Sequence, residues 1–274
     1  MNENTPLVTI VTPYLNAEIF IQAFVNMLRL QTFPFWKCIM IDDGSSDSSY
    51  KLVSDLAELD KRFISIRRTQ FKLSDGPSEA RNLAIKSSKT ELLAFCDIDD
   101  LWHPQKLEKQ IKFHIDNSLD ISVSKYARFF NDKSQTISSF RTPKNKLNYE
   151  ILLRGNQIPL LTVLVKRDLI LNGFPICRHE DFALWLNIFK NNKNLKYGCI
   201  NKCLAFYRIH QSSITKNKFK MILWTNEVFK LQKFSRIKRY KSLFLWIFYH
   251  CFNFLNVNKI NTLTTVEKVS SINI

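Results

Sequence analysis

The chain has 274 residues, 45% hydrophobic and 23% charged, a balance that excludes wholesale disorder and leaves room for one large core. Its 40 Lys and Arg against 24 Asp and Glu give a net charge of +16, which favours anionic partners such as nucleotides, nucleic acid or acidic lipid. Thirteen of the basic residues, against only Glu227 and Glu267, fall from Lys202 onward, so the excess belongs to the C-terminal part.

Leu7 to Thr12 is a short β-branched run, and Ala17 to Gln31 carries apolar residues at helical spacing (Ile21, Phe24, Val25, Leu28). The alternation repeats: strand Trp36 to Ile41, helix Ser48 to Leu59, strand Phe63 to Arg67, helix Ser78 to Ser87, strand Glu91 to Cys96, helix Pro104 to Asn117. Four such units predict an α/β domain with a Rossmann-like, mostly parallel, doubly wound sheet. Beyond residue 118 the pattern loosens into strand-like Ile121 to Phe130, a turn at Asn131-Asp132-Lys133, and Thr136 to Phe140. Residues 1–117 are thus expected to form a nucleotide-binding half and 118–215 an acceptor-side half of one domain. From 216 to 274 a basic, aromatic helical tail is expected. Its basic stretch, followed by Leu243 to Tyr249, fits either an interfacial helix on anionic lipid or a helical pair packed on the domain.

No basic n-region or cleavage site precedes Leu7, and Leu243 to Leu255 is shorter than the roughly 20 residues a spanning helix needs. The protein is therefore expected in the cytoplasm, with peripheral contact to the inner face of the membrane. Six cysteines scattered through mostly apolar runs suit reduced, buried thiols. Cys199, Cys203 and His210 are the one grouping with a zinc alternative, and it lacks a fourth ligand.

In doubly wound sheets ligands bind outside the carboxyl ends of the strands. One such exit delivers Asp97, Asp99 and Asp100 together. Crowded carboxylates repel unless a cation or protonation relieves them, and hard oxygens suit Mg²⁺ or Mn²⁺. The plainer alternative is a cap for the helix near Pro104. Asp42 and Asp43 close another strand ahead of Gly44-Ser45-Ser46, fitting either a base or ribose contact or a turn capping the next helix. The five glycines stand too far apart for a dinucleotide fingerprint or a P-loop, so a bound diphosphate would need metal and basic side chains. Arg81, in the first turn of a helix entered at Ser78, offers one, with a surface salt bridge to Glu79 or a neighbouring helix as its alternative.

Six ordered motifs, Thr12-Pro13-Tyr14-Leu15-Asn16, Ile41 to Asp47, Gly76 to Asn82, Asp97 to Asp100, His179-Glu180-Asp181 and Tyr207 to His210, resemble those of the inverting family 2 glycosyltransferases of GT-A fold over roughly residues 6 to 215. The resemblance implies transfer of a hexose or N-acetylhexosamine from a nucleotide-diphosphate sugar, of the UDP-Gal or UDP-Glc type, to a glycan or polyprenyl-diphosphate-linked acceptor in O-antigen, capsule or lipopolysaccharide synthesis. By position it assigns Asp43 to the base or ribose, Asp97 and Asp99 to ribose and metal, and Asp181 to the general base, oriented by Glu180. Thr12, Pro13, Tyr14, Asn16 and Arg81 would line the nucleotide sugar, Arg208 and His210 would close over the diphosphate or acceptor, and His210 would join the metal ligands. A nucleic-acid-binding protein and an inactive sugar-nucleotide-binding relative remain as alternatives. The first does not need three acids at a strand exit.

Overall fold

The computed structural model describes residues 7–68, 77–131, 136–210 and 218–260. The Lys72 to Gly76 segment, Asp132 and Lys133 of the expected turn, and the chain beyond Ile260 lie outside the described residues.

The alternating units fold as their periodicities require. Strands β1 (Val8–Tyr14), β2 (Trp36–Asp42), β3 (Phe63–Arg67) and β4 (Leu92–Phe95) are separated by helices α1 (Glu18–Arg29), α2 (Ser49–Leu59) and α3 (Pro77–Ser87). They form a parallel block in the order β3-β2-β1-β4. A parallel sheet is covered on both faces, so each strand must be apolar on both sides. Accordingly Val11, Ile39 and Ile41 enter one core cluster with Ala80, Ala84 and Ile85 of α3. Their neighbours Val8, Ile10, Cys38 and Met40 enter the other, against Phe24, Val25 and Leu28 of α1.

Past β4 the sheet becomes mixed. After β5 (Leu101–Trp102) and α4 (Lys106–Asp116) come β6 (Ile121–Phe130), β7 (Ile137–Arg141), the short helix α5 (Tyr149–Leu152), β8 (Leu164–Lys166), α6 (Glu180–Asn191) and β9 (Tyr197–Ile209). The sheet continues β4-β8-β6-β9-β5, with β7 paired to β6. Only β6 against β9 is parallel in this part. The two-residue β5 has no sequence signature of its own. It exists because Leu101 and Trp102 pair antiparallel with Phe206 and Ala205, which pins the loop carrying the three aspartates to β9.

The tail forms α7 (Lys218–Leu231) and α8 (Arg236–Ile260). Val228, Phe229 and Trp246 are buried in the same cluster as α6, with Leu243 and Ile247 packed against it, so this pair is built onto the domain. The other side of α8 exposes Ile237, Tyr240 and Phe244 at helical spacing, beside exposed Arg236, Lys238 and Lys241. No helix among the described residues is long and apolar enough to cross a membrane.

Candidate active site

The loop from β4 to β5 holds its three acids in three environments. Asp97 is nearly half exposed at its side chain, with Oδ1 accepting from an Arg81 guanidinium nitrogen at 2.9 Å. Asp99 Oδ2 faces His210 Nε2 at 2.6 Å, the imidazole lying edge-on to Phe20. Asp100 is buried and accepts from the backbone N–H of Arg208 at 2.9 Å. Burial, then the nearby Asp99 and Asp97, push its carboxyl well above the usual carboxylate range. Asp100 thus fastens the loop to β9 from the inside. The cap alternative fails for all three acids, because α4 starts only at Lys106 with Gln105 before it.

Arg208 requires a correction. It is 7% exposed, its Nε donates to the Asp99 carbonyl at 2.6 Å, one terminal nitrogen donates to Asn131 at 2.9 Å, and the guanidinium lies over Phe129. A cation so committed is a strut under the aspartate loop and not a side chain that closes over a ligand.

Arg81, on the buried face of α3, is the bridge of the site. Besides Asp97 it donates to Glu180, 99 residues further along the chain, at 2.7 Å, so one guanidinium joins a strand exit to the head of α6. Glu180 belongs to a neighbouring helix, as the salt-bridge alternative allowed, but the guanidinium is buried and not at the surface. With both arms on carboxylates and 5% exposure, it balances the acids of the site before any ligand arrives. Asn82, one residue on, grips the Phe174 backbone with both ends of its amide, at 2.9 and 2.6 Å, and so anchors the segment leading into α6.

His179 is the N-cap residue of α6, so Asp181 is not a cap: it sits in the first turn, where the helix dipole favours a carboxylate. Its Oδ2 accepts from Asn156 and its Oδ1 from the Phe182 N–H, both at 2.7 Å. Burial nevertheless raises its pKa above the ordinary aspartate value, against the pull of these bonds and of Arg81. Glu180 is raised by burial too, opposed by Arg81. A half-desolvated carboxylate with a raised pKa is the form a general base takes.

The β1 and β2 exits make a separate rim. Asn16 adopts a left-handed φ of 47°, which Asn tolerates, and its Oδ1 accepts from the Ser46 N–H at 2.9 Å. Asp42 is fully buried, closing the turn onto the Ser45 N–H and pairing with Arg67, while Asp43 pairs with Arg68. Neither acid caps α2, since Ser49 N–H is taken by Asp47. Thr12 and Tyr14 are corrected: at 0% and 3% exposure their side chains belong to the interior, Thr12 beside Cys38, so only backbone there can meet a ligand. Pro13 between them is partly exposed.

Arg81, Asp97, Asp100, Glu180 and Asp181 line one cleft of about 480 Å³. Its lining does not include Asp43, Asn16, Asp99 or His210. A second cleft, about 380 Å³, opens near the amino ends of β1 and β4 and holds none of the motif residues. The lining of the first also includes Tyr126, Arg128, Arg141 and Tyr207. Sequence reasoning missed Arg128 and Arg141, which carry no motif and reach the cleft only through sheet pairing, and Asn156, which loop placement brings to Asp181. Cys199, Cys203 and His210 do not form the zinc grouping: no set of three or more His, Cys, Asp or Glu that could hold a metal ion occurs among the described residues, and each thiol lies against a backbone carbonyl.

A parallel βα block extended by a mixed sheet, with acids at the strand exits and a carboxylate at the head of a later helix, defines a GT-A glycosyltransferase fold. The Staphylococcus aureus TarS 1–349 fragment, solved with UDP-GlcNAc, superposes with a TM-score of 0.66 at 16% identity, covering 89% of this chain and 72% of that one. A mannosyltransferase from Pyrobaculum calidifontis, solved with GDP-Man and Mn²⁺, gives 0.63 at 15% identity, covering 90% and 71%. Residues 9–163 match the model of glycosyl transferase family 2, and the chain belongs to that family. Among its relatives is a Haemophilus influenzae glycosyltransferase of uncharacterized activity, 33% identical over 93% of this chain and 100% of that protein. Another is the Escherichia coli UDP-Glc:alpha-D-GlcNAc-diphosphoundecaprenol beta-1,3-glucosyltransferase WfgD, 35% identical over 78% of this chain and 81% of that one.

Proposed function

We propose that this enzyme transfers a hexose, from a UDP-sugar of the UDP-Glc or UDP-Gal type, with inversion, to a GlcNAc residue carried on a polyprenyl diphosphate during surface-polysaccharide synthesis. The observation that carries the proposal is the convergence of Asp97, from the β4 exit, and Asp181, from the head of α6, in one cleft through Arg81. The similarity to the E. coli glucosyltransferase supports the donor and acceptor classes.

In this reading Asp43 and Asp97 hold the nucleoside, and Asp181 takes the proton from the acceptor hydroxyl as it attacks the anomeric carbon. Glu180 and Arg81 position that carboxylate, and Asn156 keeps one of its oxygens oriented. A single displacement inverts the anomeric centre.

Asp99 and His210 fit a divalent cation. A carboxylate oxygen and an imidazole nitrogen already meet at 2.6 Å, a donor pair suited to Mn²⁺, and no third His, Cys, Asp or Glu joins them among the described residues. Cations of the Mg²⁺ class need only one or two carboxylates when substrate phosphates supply other ligands. When bound, such an ion offsets charge developing on the departing nucleoside diphosphate.

The test is a panel of UDP-Glc, UDP-Gal, UDP-GlcNAc and UDP-GalNAc with a short-chain GlcNAc-α-diphosphate-lipid and Mn²⁺. Transfer from one UDP-hexose, giving a β-linked product by NMR, is expected. A product that retains the donor's α configuration, or no transfer from any of the four, overturns the proposal.

We also propose that the protein works at the inner face of the cytoplasmic membrane, with the exposed face of α8 against anionic lipid. Ile237, Tyr240 and Phe244 supply buried area and Arg236, Lys238 and Lys241 the attraction to the surface. The protein is expected to sediment with phosphatidylglycerol-containing vesicles at low salt, and Ile237→Asp with Phe244→Asp to release it. Equal sedimentation of the double variant, or none of the wild type, refutes this attachment.

A further inference from the structure

The lining of the cleft carries charges of both signs, Asp97, Glu180 and Asp181 together with Arg128 and Arg141. Arg81, also in the lining, already has two carboxylate partners. Among the described residues Arg128 and Arg141 make no ion pair, although both are half-buried. The β6–β7 hairpin fixes their relation: Arg141 stands opposite Tyr126 and Arg128 opposite Ser139. Cross-strand partners share a face, and residues two apart on a strand do as well. Arg128 and Arg141 are therefore diagonal neighbours on one face of the hairpin, a spacing at which two long guanidinium side chains can grip a single diphosphate from both sides.

We infer that Arg128 and Arg141 bind the diphosphate of the acceptor, a site that rests on the proposed lipid-diphosphate-linked substrate. The base works on a hydroxyl of the first sugar, and the diphosphate is attached at the anomeric carbon of that same sugar, one ring away. It must then lie in the cleft that holds Asp181, and these two arginines are the cations there that no carboxylate neutralises. Pro159 and Leu160 give the same cleft an apolar border on which the first part of a lipid chain can lie. The donor carries a diphosphate too and shares Asp97 with this cleft, but Asp99 and His210, through which a cation would hold that diphosphate, are not part of the lining.

The experiment compares wild type with Arg128→Gln, Arg141→Gln and the double variant. Two acceptors are used, GlcNAc-α-diphosphate-lipid and the matching GlcNAc-α-O-alkyl glycoside, with KM measured for each and for the donor. Wild type should prefer the diphosphate acceptor, and each variant should raise KM for that acceptor about 10-fold or more, each charge-assisted contact being worth one to two decades. The preference should collapse in the double variant while the donor KM stays put. A rise in donor KM moves the arginines to the donor's diphosphate, and equal losses on both acceptors make their role structural; either result overturns the inference. Calorimetric binding of the diphosphate-lipid acceptor in the presence of UDP and Mn²⁺ separates the two levels. If wild type does not bind it, the proposed acceptor class fails. If wild type and double variant bind it equally, the arginine site alone fails.

Discussion

Asp181→Asn is expected to keep donor binding and lower kcat by about 10²- to 10⁴-fold, the range general-base catalysis spans. The substitution keeps the shape of the side chain but removes the lone pair that accepts the proton. Its structural cost is small, because an amide oxygen still satisfies one of the two donors, Asn156 or the Phe182 N–H, leaving about 1 kcal/mol at risk. The check is single-turnover kinetics beside a UDP titration and a melting curve. Near-normal kcat removes Asp181 from the base role, whereas lost UDP stabilisation or a collapsed melting curve assigns it to structure. The wild type carries a second signature. Burial raises the Asp181 pKa, and a base acts only when deprotonated, so the acid limb of the rate profile should lie above the ordinary aspartate value of 3.8. Asn156→Ala removes a bond that favours the carboxylate form and should move that limb further toward neutral pH. A limb that does not move leaves Asn156 without influence on the base.

Asp99→Ala is expected to reduce transfer by about 10³-fold or more, with little loss of stability, since a bound cation contributes several kcal/mol of charge stabilisation. The reason it should fold lies in which atoms hold the loop. Arg208 bonds to the backbone carbonyl of Asp99 and to the Asp100 carboxylate, and alanine preserves both contacts. The side chain of Asp99 instead meets His210, so its removal strikes the candidate metal donors and spares the strut. Thermal shift with Mn²⁺ and UDP should stabilise wild type and not the variant. Full activity of the wild type in EDTA, or a variant that retains its rate, removes the cation from the reaction.

What could be read along the chain was local. The first four strands and the helices between them follow from apolar spacings of 2 and 3.6 residues within short windows, and their observed ends fall within two residues of the predicted ones. The acids at the strand exits were legible for the same reason, because a run of Asp at the end of an apolar strand needs no distant partner to be noticed. The motif order picked out Asp181, and the structure puts it in the first turn of α6.

Only tertiary structure decided which way side chains point and what they meet. Thr12 and Tyr14 lie in a motif yet face the interior, since the side of a strand that each residue takes depends on the sheet packed around it. Arg208 reads as a basic residue near a ligand, but pairing of β9 with β5 and β6 turns it inward beneath Asp99. Arg81 could not be assigned Asp97 and Glu180, lying 16 and 99 residues away, from spacing, because two remote segments must first be brought to one place. The tail divided in the same way. Its helicity and basic, aromatic character were plain in the sequence, whereas burial of Trp246 against the domain, leaving Ile237 and Phe244 outside, was set by the surface α8 packs on. Periodicity and residue type act over one or two turns of chain and are carried by the sequence alone. Charge pairing, burial and the shape of the cleft depend on contacts between segments far apart, which exist only once the sheet has closed.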